Sequence, residues 1–229
     1  MNLVLFDIDG TLTQSFEYDR QVFSLALTDV IGSANIDTDL GAYIATTSAG
    51  VTREAFQRSL GRDPCAEEYE EVKRRVLWHL EKRYQESPAA FVEVAGASRC
   101  VARLRKRAGM AVAIATGCWR PEAMFKLQSS GFHPDGIPMA TSDDDEDRQR
   151  IMEISVQRAL GFYACSRFER VVSIGDGPWD LQASRSLGYG FVGIGARLQA
   201  LKDAGARYLH RDYLEVDAVL ASIAAASKP

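Results

Sequence analysis

Three short apolar runs, each cut off by a polar turn, constrain this chain more than any other feature. Leu3 to Phe6 runs into Asp7-Ile8-Asp9-Gly10-Thr11, Val112 to Ala115 into Thr116-Gly117, and Val171 to Ile174 into Gly175-Asp176-Gly177. Such runs are too short for core helices and lack polar alternation, which is the pattern of parallel strands buried on both faces. Phe191 to Ile194 is a weaker fourth run and Arg207 to Leu209 a fifth. Helical patterns separate them: Ala97 to Ala108, Pro121 to Ser130, Arg148 to Leu160 and Asp180 to Leu187. Strands alternating with helices in this way predict an α/β fold, a Rossmann-like doubly wound parallel sheet.

One stretch breaks the alternation. Between about Ser15 and Ser87 no buried strand is evident, only amphipathic helices at Arg20 to Ile31, Thr52 to Leu60 and the highly charged Glu67 to Tyr84. A chain of 229 residues is one and a half domains at about 150 residues each. The expected organisation is an α/β core of residues 1–14 and 88–229, with residues 15–87 inserted as a small α-helical domain of their own. A final helix is expected over Leu214 to Ala225.

Composition removes several classes of function. With 27 basic and 31 acidic side chains, the net charge of −4 creates no field that favours nucleic acid or an anionic membrane. No window approaches the roughly 18 apolar residues of a membrane span. The N-terminus has neither a basic leader nor a long apolar stretch. Cys65, Cys100, Cys118 and Cys165 are scattered, so reduced, buried thiols and a cytoplasmic location are expected.

Ligands of open parallel sheets bind beyond the carboxyl ends of the strands, where the three polar turns would meet. Asp7 and Asp9 bracket one residue, so extended backbone would put both carboxylates on one face, and Asp176 would add a third acid. Such a cluster repels itself unless a cation joins it. Hard oxygen ligands suit Mg²⁺, which leaves room for water and a phosphate.

The sequences DIDGTLT, ATG and GDGPWD, in this order from Asp7 to Asp180, resemble the motifs of the haloacid dehalogenase superfamily. Within it the chain is similar to the phosphoglycolate phosphatase and β-phosphoglucomutase types, whose helical cap follows the first strand. The resemblance implies a Mg²⁺-dependent phosphatase acting on a small phosphorylated metabolite. Asp7 would be the nucleophile, forming an aspartyl-phosphate, and Asp9 the general acid and then base. The metal would be held by Asp7, the main-chain carbonyl of Asp9, and Asp176. Thr116 and the backbone around Gly10 and Gly117 would bind the phosphate, and Asp180 would sit behind the metal, ordering its surroundings. A sugar phosphomutase and a catalytically silent ligand-binding relative are the alternatives. The acidic Asp9 argues against a dehalogenase, and Lys73 and Lys82 lack the setting of an imine-forming lysine.

The family's phosphate-restraining cation is usually a Lys, and none precedes the third motif. Arg148 is the expected substitute, because it opens a helix and can reach back to the cleft, with Arg150 second. Lys126 lies about two turns beyond Thr116, which at ~1.5 Å per residue carries it away from the strand ends. Asp180 could equally be the N-cap of its helix. The acidic run Asp143 to Asp147 reads as a solvated loop and helix-terminal charge. His79, His133 and His210 read as structural or surface residues. Thr47 and Arg53, in a small polar loop of the insert, are the candidates for contacting the leaving group.

Overall fold

Leu3 and Leu5 point to one side of the first strand, Val4 and Phe6 to the other, and all four are buried. In the computed structural model, which describes residues 1–32 and 43–226, this strand is the middle of the sheet. Strands β1 (Asn2–Phe6), β2 (Met110–Ala115), β3 (Met139–Ala140), β4 (Arg170–Gly175), β5 (Gly190–Ile194) and β6 (Leu209–His210) pair in the order β3-β2-β1-β4-β5-β6. Every pairing is parallel. The chain moves outward from β1 through β2 to β3, then crosses back to the other side of β1 for β4. The crevice of a doubly wound sheet opens at such a reversal, here between the ends of β1 and β4.

The odd and even residues of β1 feed two separate cores. Leu3 and Leu5 pack with Ala111, Ala113, Ile151 and Met152, while Val4 and Phe6 pack with Val112, Ile114, Leu104, Val219 and Tyr213. Helices α4 (Ala97–Lys106) and α9 (Val216–Ala225) contribute to one of these cores and α6 (Arg148–Phe162) to the other. Helices α5 (Arg120–Ser129), α7 (Pro178–Leu187) and α8 (Leu198–Asp203) complete the layers.

The insert contains α1 (Phe16–Ile31), α2 (Ser48–Leu60) and α3 (Ala66–Glu86). Residues 33–42, part of the expected cap, lie outside the described residues. The stripe Val72, Val76, Leu80, spaced by four, buries against Val22, Phe23, Ala26 and Leu27 of α1 and Phe56 of α2, as an amphipathic helix requires. The solvated side of α3 is laced by Arg75–Glu71 and Arg74–Glu71 pairs. Trp119 of the core joins this apolar cluster and stacks on Phe23 with ring centroids 5.8 Å apart.

Several expectations are corrected in detail. The two-residue β3 is too short to leave a pattern in the sequence. The last strand starts at Leu209 rather than Arg207, and α8 has no counterpart in the periodicity reading. Helix α7 begins at Pro178, so Asp180 is not its N-cap: it sits in the first turn, and its carboxylate accepts from the Gly177 N–H at 3.1 Å. Of the four thiols only Cys100 and Cys118 are buried; Cys65 is exposed and Cys165 half-buried.

Candidate active site

Asp7 follows β1, and Asp176 follows β4, its hydrogen-bonded neighbour. Asp180, from the first turn of α7, completes a buried trio whose carboxylate oxygens lie within 4.8 Å of one another. The third acid beside Asp7 and Asp176 is therefore Asp180. The side chain of Asp9 diverges, because the backbone leaves the extended conformation after Phe6 and turns through Gly10.

Gly10 has φ +74°, and a Cβ there would lie 2.6 Å from Asp176 Cγ. Only glycine combines the left-handed turn with so close an approach. Gly117 serves a different contact: a Cβ on it would meet the Thr46 carbonyl oxygen and an Arg148 nitrogen, each at 2.7 Å. Thr116 is buried, and its hydroxyl accepts from the Cys118 N–H at 3.2 Å.

Arg148 is the first residue of α6, whose N-terminus Asp147 caps by accepting from the Gln149 and Arg150 N–H groups. One guanidinium nitrogen donates to Asp180 at 2.7 Å and to Asp7 at 3.3 Å, the other to the Thr46 carbonyl at 3.1 Å. Its buried Nε has no hydrogen-bond partner among the described residues. Arg150 is turned away and pairs with Glu153 at the surface.

Lys126 overturns the expectation drawn from its distance along the helix. Helical side chains lean toward the N-terminus, so its ammonium returns over one turn to Glu122 at 2.7 Å and on to Asp9 at 3.0 Å. It also pairs with Asp19 of α1 and is wholly buried.

Burial dominates the electrostatics. It raises Asp7 well above the usual carboxylate range, aided by the Asp180 charge and opposed by Arg148. Burial pushes Asp176 up to about 7 against the pull of Arg197. Burial would also raise Asp9, but Lys126 and hydrogen bonds from Cys118 and Ser15 outweigh it and hold the group below its ordinary value. The Cys118 thiol is driven well up by burial and by Asp9 and Glu122, so it stays a neutral donor, 2.7 Å from Asp9 Oδ2.

These groups line a cavity of about 360 Å³. Asp7, Asp9, Asp176, Gly117, Cys118 and Arg148 form its core side; Arg20, Phe23, Thr46, Thr47 and Val51 of the insert roof it. Hydrogen bonds seat the roof: Ser48 N–H to the Gly117 carbonyl at 2.7 Å and Ala49 N–H to Ser142 Oγ at 3.0 Å. Thr47 lines the cavity, but its hydroxyl caps α2 by accepting from Gly50 and donates to the Glu146 carbonyl at 2.6 Å. Arg53 is absent from the lining and pairs outside with Glu146 at 2.8 Å. The acidic run thus binds the insert to the core, with Asp143 holding Lys73 at 2.7 Å, rather than being merely solvated.

Arg197 was not foreseen. It lies just past β5, ion-pairs with Asp176 and covers the Trp179 ring 4.4 Å from its centroid. The rule that sites gather at strand ends could have found it; nothing in the periodicity of α1 could have singled out Asp19.

A doubly wound parallel sheet with a helical insert behind its first strand, and carboxylates where its strands end, defines the capped α/β hydrolases. The chain belongs to the haloacid dehalogenase-like hydrolases, whose family profile matches residues 1–188. Solved structures agree on the fold. A hydrolase from Pseudomonas syringae superposes with TM-score 0.73 at 21% identity, covering 97% of this chain and 99% of its own. CbbY from Rhodobacter sphaeroides in complex with phosphate gives 0.68 at 21%, covering 93% and 95%. A predicted phosphoglycolate phosphatase from Haemophilus somnus gives 0.63 at 15%, covering 95% and 97%. No curated protein sequence matches the chain significantly.

Proposed function

We propose that this hydrolase is a Mg²⁺-dependent phosphatase of small phosphomonoesters, working through an aspartyl-phosphate on Asp7. The observation that carries the reading is the Arg148 guanidinium, which bridges Asp7 and Asp180 beside Asp176 while its Nε has no acceptor among the described residues. That is a cation placed to hold a phosphate against a carboxylate nucleophile.

The donor set fits the metal. Asp7, Asp176 and Asp180 offer only hard oxygens at close quarters, and burial, with a smaller part from the neighbouring carboxylates, raises the affinity of Asp7 and Asp176 for a positive partner. Asp7 and Asp176 would hold Mg²⁺ together with the Asp9 carbonyl, and Asp180 would order them from behind. The ion, when bound, neutralises phosphate charge and aligns the ester for displacement.

The chain's own groups supply the rest. An Asp7 oxygen attacks phosphorus as the ester P–O bond breaks, and Asp9 gives its proton to the departing alkoxide. In the second half Asp9 takes a proton from water, whose oxygen attacks phosphorus and expels the Asp7 carboxylate. Lys126 keeps Asp9 ionised in the free site, which suits the second half. The charge of an arriving phosphate raises proton affinity beside it and serves the first. Arg148 restrains the transferring group, Thr116 and the Gly117 turn add donors, and the roof excludes water. That CbbY, similar in fold, forms a complex with phosphate, and a CbbY mutant one with xylulose-(1,5)bisphosphate, supports a phosphorylated small molecule as substrate.

Phosphate release from a panel of phosphorylated metabolites, with and without Mg²⁺, tests the reading. Metal-dependent release abolished by Asp7→Asn is expected. Metal-independent release, or isomerisation of a sugar phosphate that outpaces release when a sugar bisphosphate is supplied, would overturn it.

A further inference from the structure

Asp9 is held by more contacts than a surface acid needs. Its Oδ1 accepts from Ser15 and lies 3.0 Å from the Lys126 ammonium; its Oδ2 accepts from Cys118 at 2.7 Å and from Lys126 at 3.2 Å. Asp9 also lines the cavity. The terminal torsion of an aspartate is otherwise broad, and here partners hold both of its oxygens.

The ammonium that fixes it has three protons and meets three carboxylates from three different segments. Asp9 comes from the loop after β1, Glu122 from α5 and Asp19 from α1 of the insert. The Cys118 sulfur at 3.3 Å and the nearby Tyr18 ring close the surroundings. Burying a lysine with three acids is costly compared with an apolar residue of similar volume. An apolar side chain would anchor α5 equally well, so the charge has a use beyond packing. Asp19 matters because it is the cap's contribution to the cage.

We propose that Lys126 is a positioning residue that seats the Asp9 carboxylate for proton transfer to the leaving group, and that Asp19 lets the cap complete this cage. The inference rests on Asp9 being the acid and base of the proposed phosphatase reaction. In this reading Lys126 acts on the reaction through the Asp9 carboxylate, in leaving-group protonation as in the later activation of water, and not through Arg148 or Asp176.

The test is the leaving-group dependence of kcat/KM, which reports events up to transfer onto Asp7. p-Nitrophenyl phosphate, phenyl phosphate and an alkyl phosphate are compared with saturating Mg²⁺ for wild type, Lys126→Met, Lys126→Arg and Asp19→Asn. A nitrophenolate leaves with little help, whereas an alkoxide depends on its acid, whose contribution is about 10²–10⁴-fold. Lys126→Met should lose at least ~10-fold more on the alkyl ester than on the nitrophenyl ester, as partial loss of that contribution. Lys126→Arg should recover part of the difference, and Asp19→Asn should shift the same way by less, with an unchanged Mg²⁺ midpoint. Equal losses on all three esters would make the cage merely structural and overturn the proposal. If Lys126→Met does not fold, Asp19→Asn decides by the same criterion. No phosphate release by wild type from any ester would overturn the phosphatase reading itself, and the proposal with it.

Discussion

Gly10 and Asp176 occupy adjoining turns so closely that a single added methyl on Gly10 would fall 2.6 Å from the Asp176 carboxylate carbon. The loop carrying Asp7 and Asp9 and the loop carrying Asp176 are therefore packed as one unit. Gly10→Ala would have to disturb Asp176 and also adopt an unfavourable positive φ, a cost of about 1–3 kcal/mol. A drop in thermal stability and a loss of Mg²⁺-induced stabilisation are expected in thermal melts with and without the metal. A variant with wild-type metal response would show that the two loops move independently.

Arg148 joins Asp7, Asp180 and the cap carbonyl of Thr46 through one side chain. Arg148→Ala should reduce kcat/KM about 10²–10³-fold, the usual range for removing one preorganised electrostatic contact. It should also destabilise the fold, since two buried carboxylates lose their counter-charge. Arg148→Lys should restore little, because an ammonium cannot reproduce the planar fork that spans both contacts. Steady-state kinetics and melts on the three proteins check this.

Under the proposed function, proton and metal would compete at Asp176. Its folded pKa of about 7 lies above the ordinary carboxylate value. Its contribution to stability without metal is thus present at low pH and lost as pH rises toward and through about 7. Binding of the proposed Mg²⁺ would displace that proton, because it needs the ionised form. The rise in melting temperature produced by Mg²⁺ should therefore be larger at pH 8 than at pH 6. Equal rises at the two pH values would contradict this ordering.

Arg53 faces Glu146 outside the cavity, with both side chains well exposed. Exposed pairs of this kind contribute about 0–1 kcal/mol. Arg53→Ala should leave KM within about two-fold of wild type and barely change stability, because the seat of α2 is made by Thr47 on the Glu146 carbonyl. A large rise in KM would show that Arg53 swings inward to reach the substrate.

Phe56 is fully buried where α1, α2 and α3 meet. Phe56→Ala should destabilise the protein by about 3–5 kcal/mol. Chemical denaturation followed by far-UV circular dichroism measures it. A cost below about 1 kcal/mol would mean that the insert repacks freely.

What could be read from the amino-acid order was whatever local chemistry dictates. Unbroken apolar runs ending in Asp, Gly or Thr specify buried parallel strands and the side of the sheet where ligands gather, so β1, β2, β4 and the positions of Asp7, Thr116 and Asp176 were legible. The absence of such runs across residues 15–87 marked the helical insert. Arg148 was legible because it opens a helix directed at the strand ends.

Only the tertiary structure decided which charges meet. Asp9 and Asp180 exchanged places in the acidic trio because the backbone turns at Gly10, and a turn is not visible in residue spacing. Lys126 reached Asp9 because a helical side chain leans back along its helix, and Asp19 met it because the insert folds over the core. Arg53 left the cavity for Glu146, and Arg197 arrived on Asp176 from the end of β5. The sequence determined the strands and their ends by local apolar patterning. The partners of the buried charges were settled by long-range packing, where desolvation makes every carboxylate and cation seek the nearest counter-charge, wherever in the chain it lies.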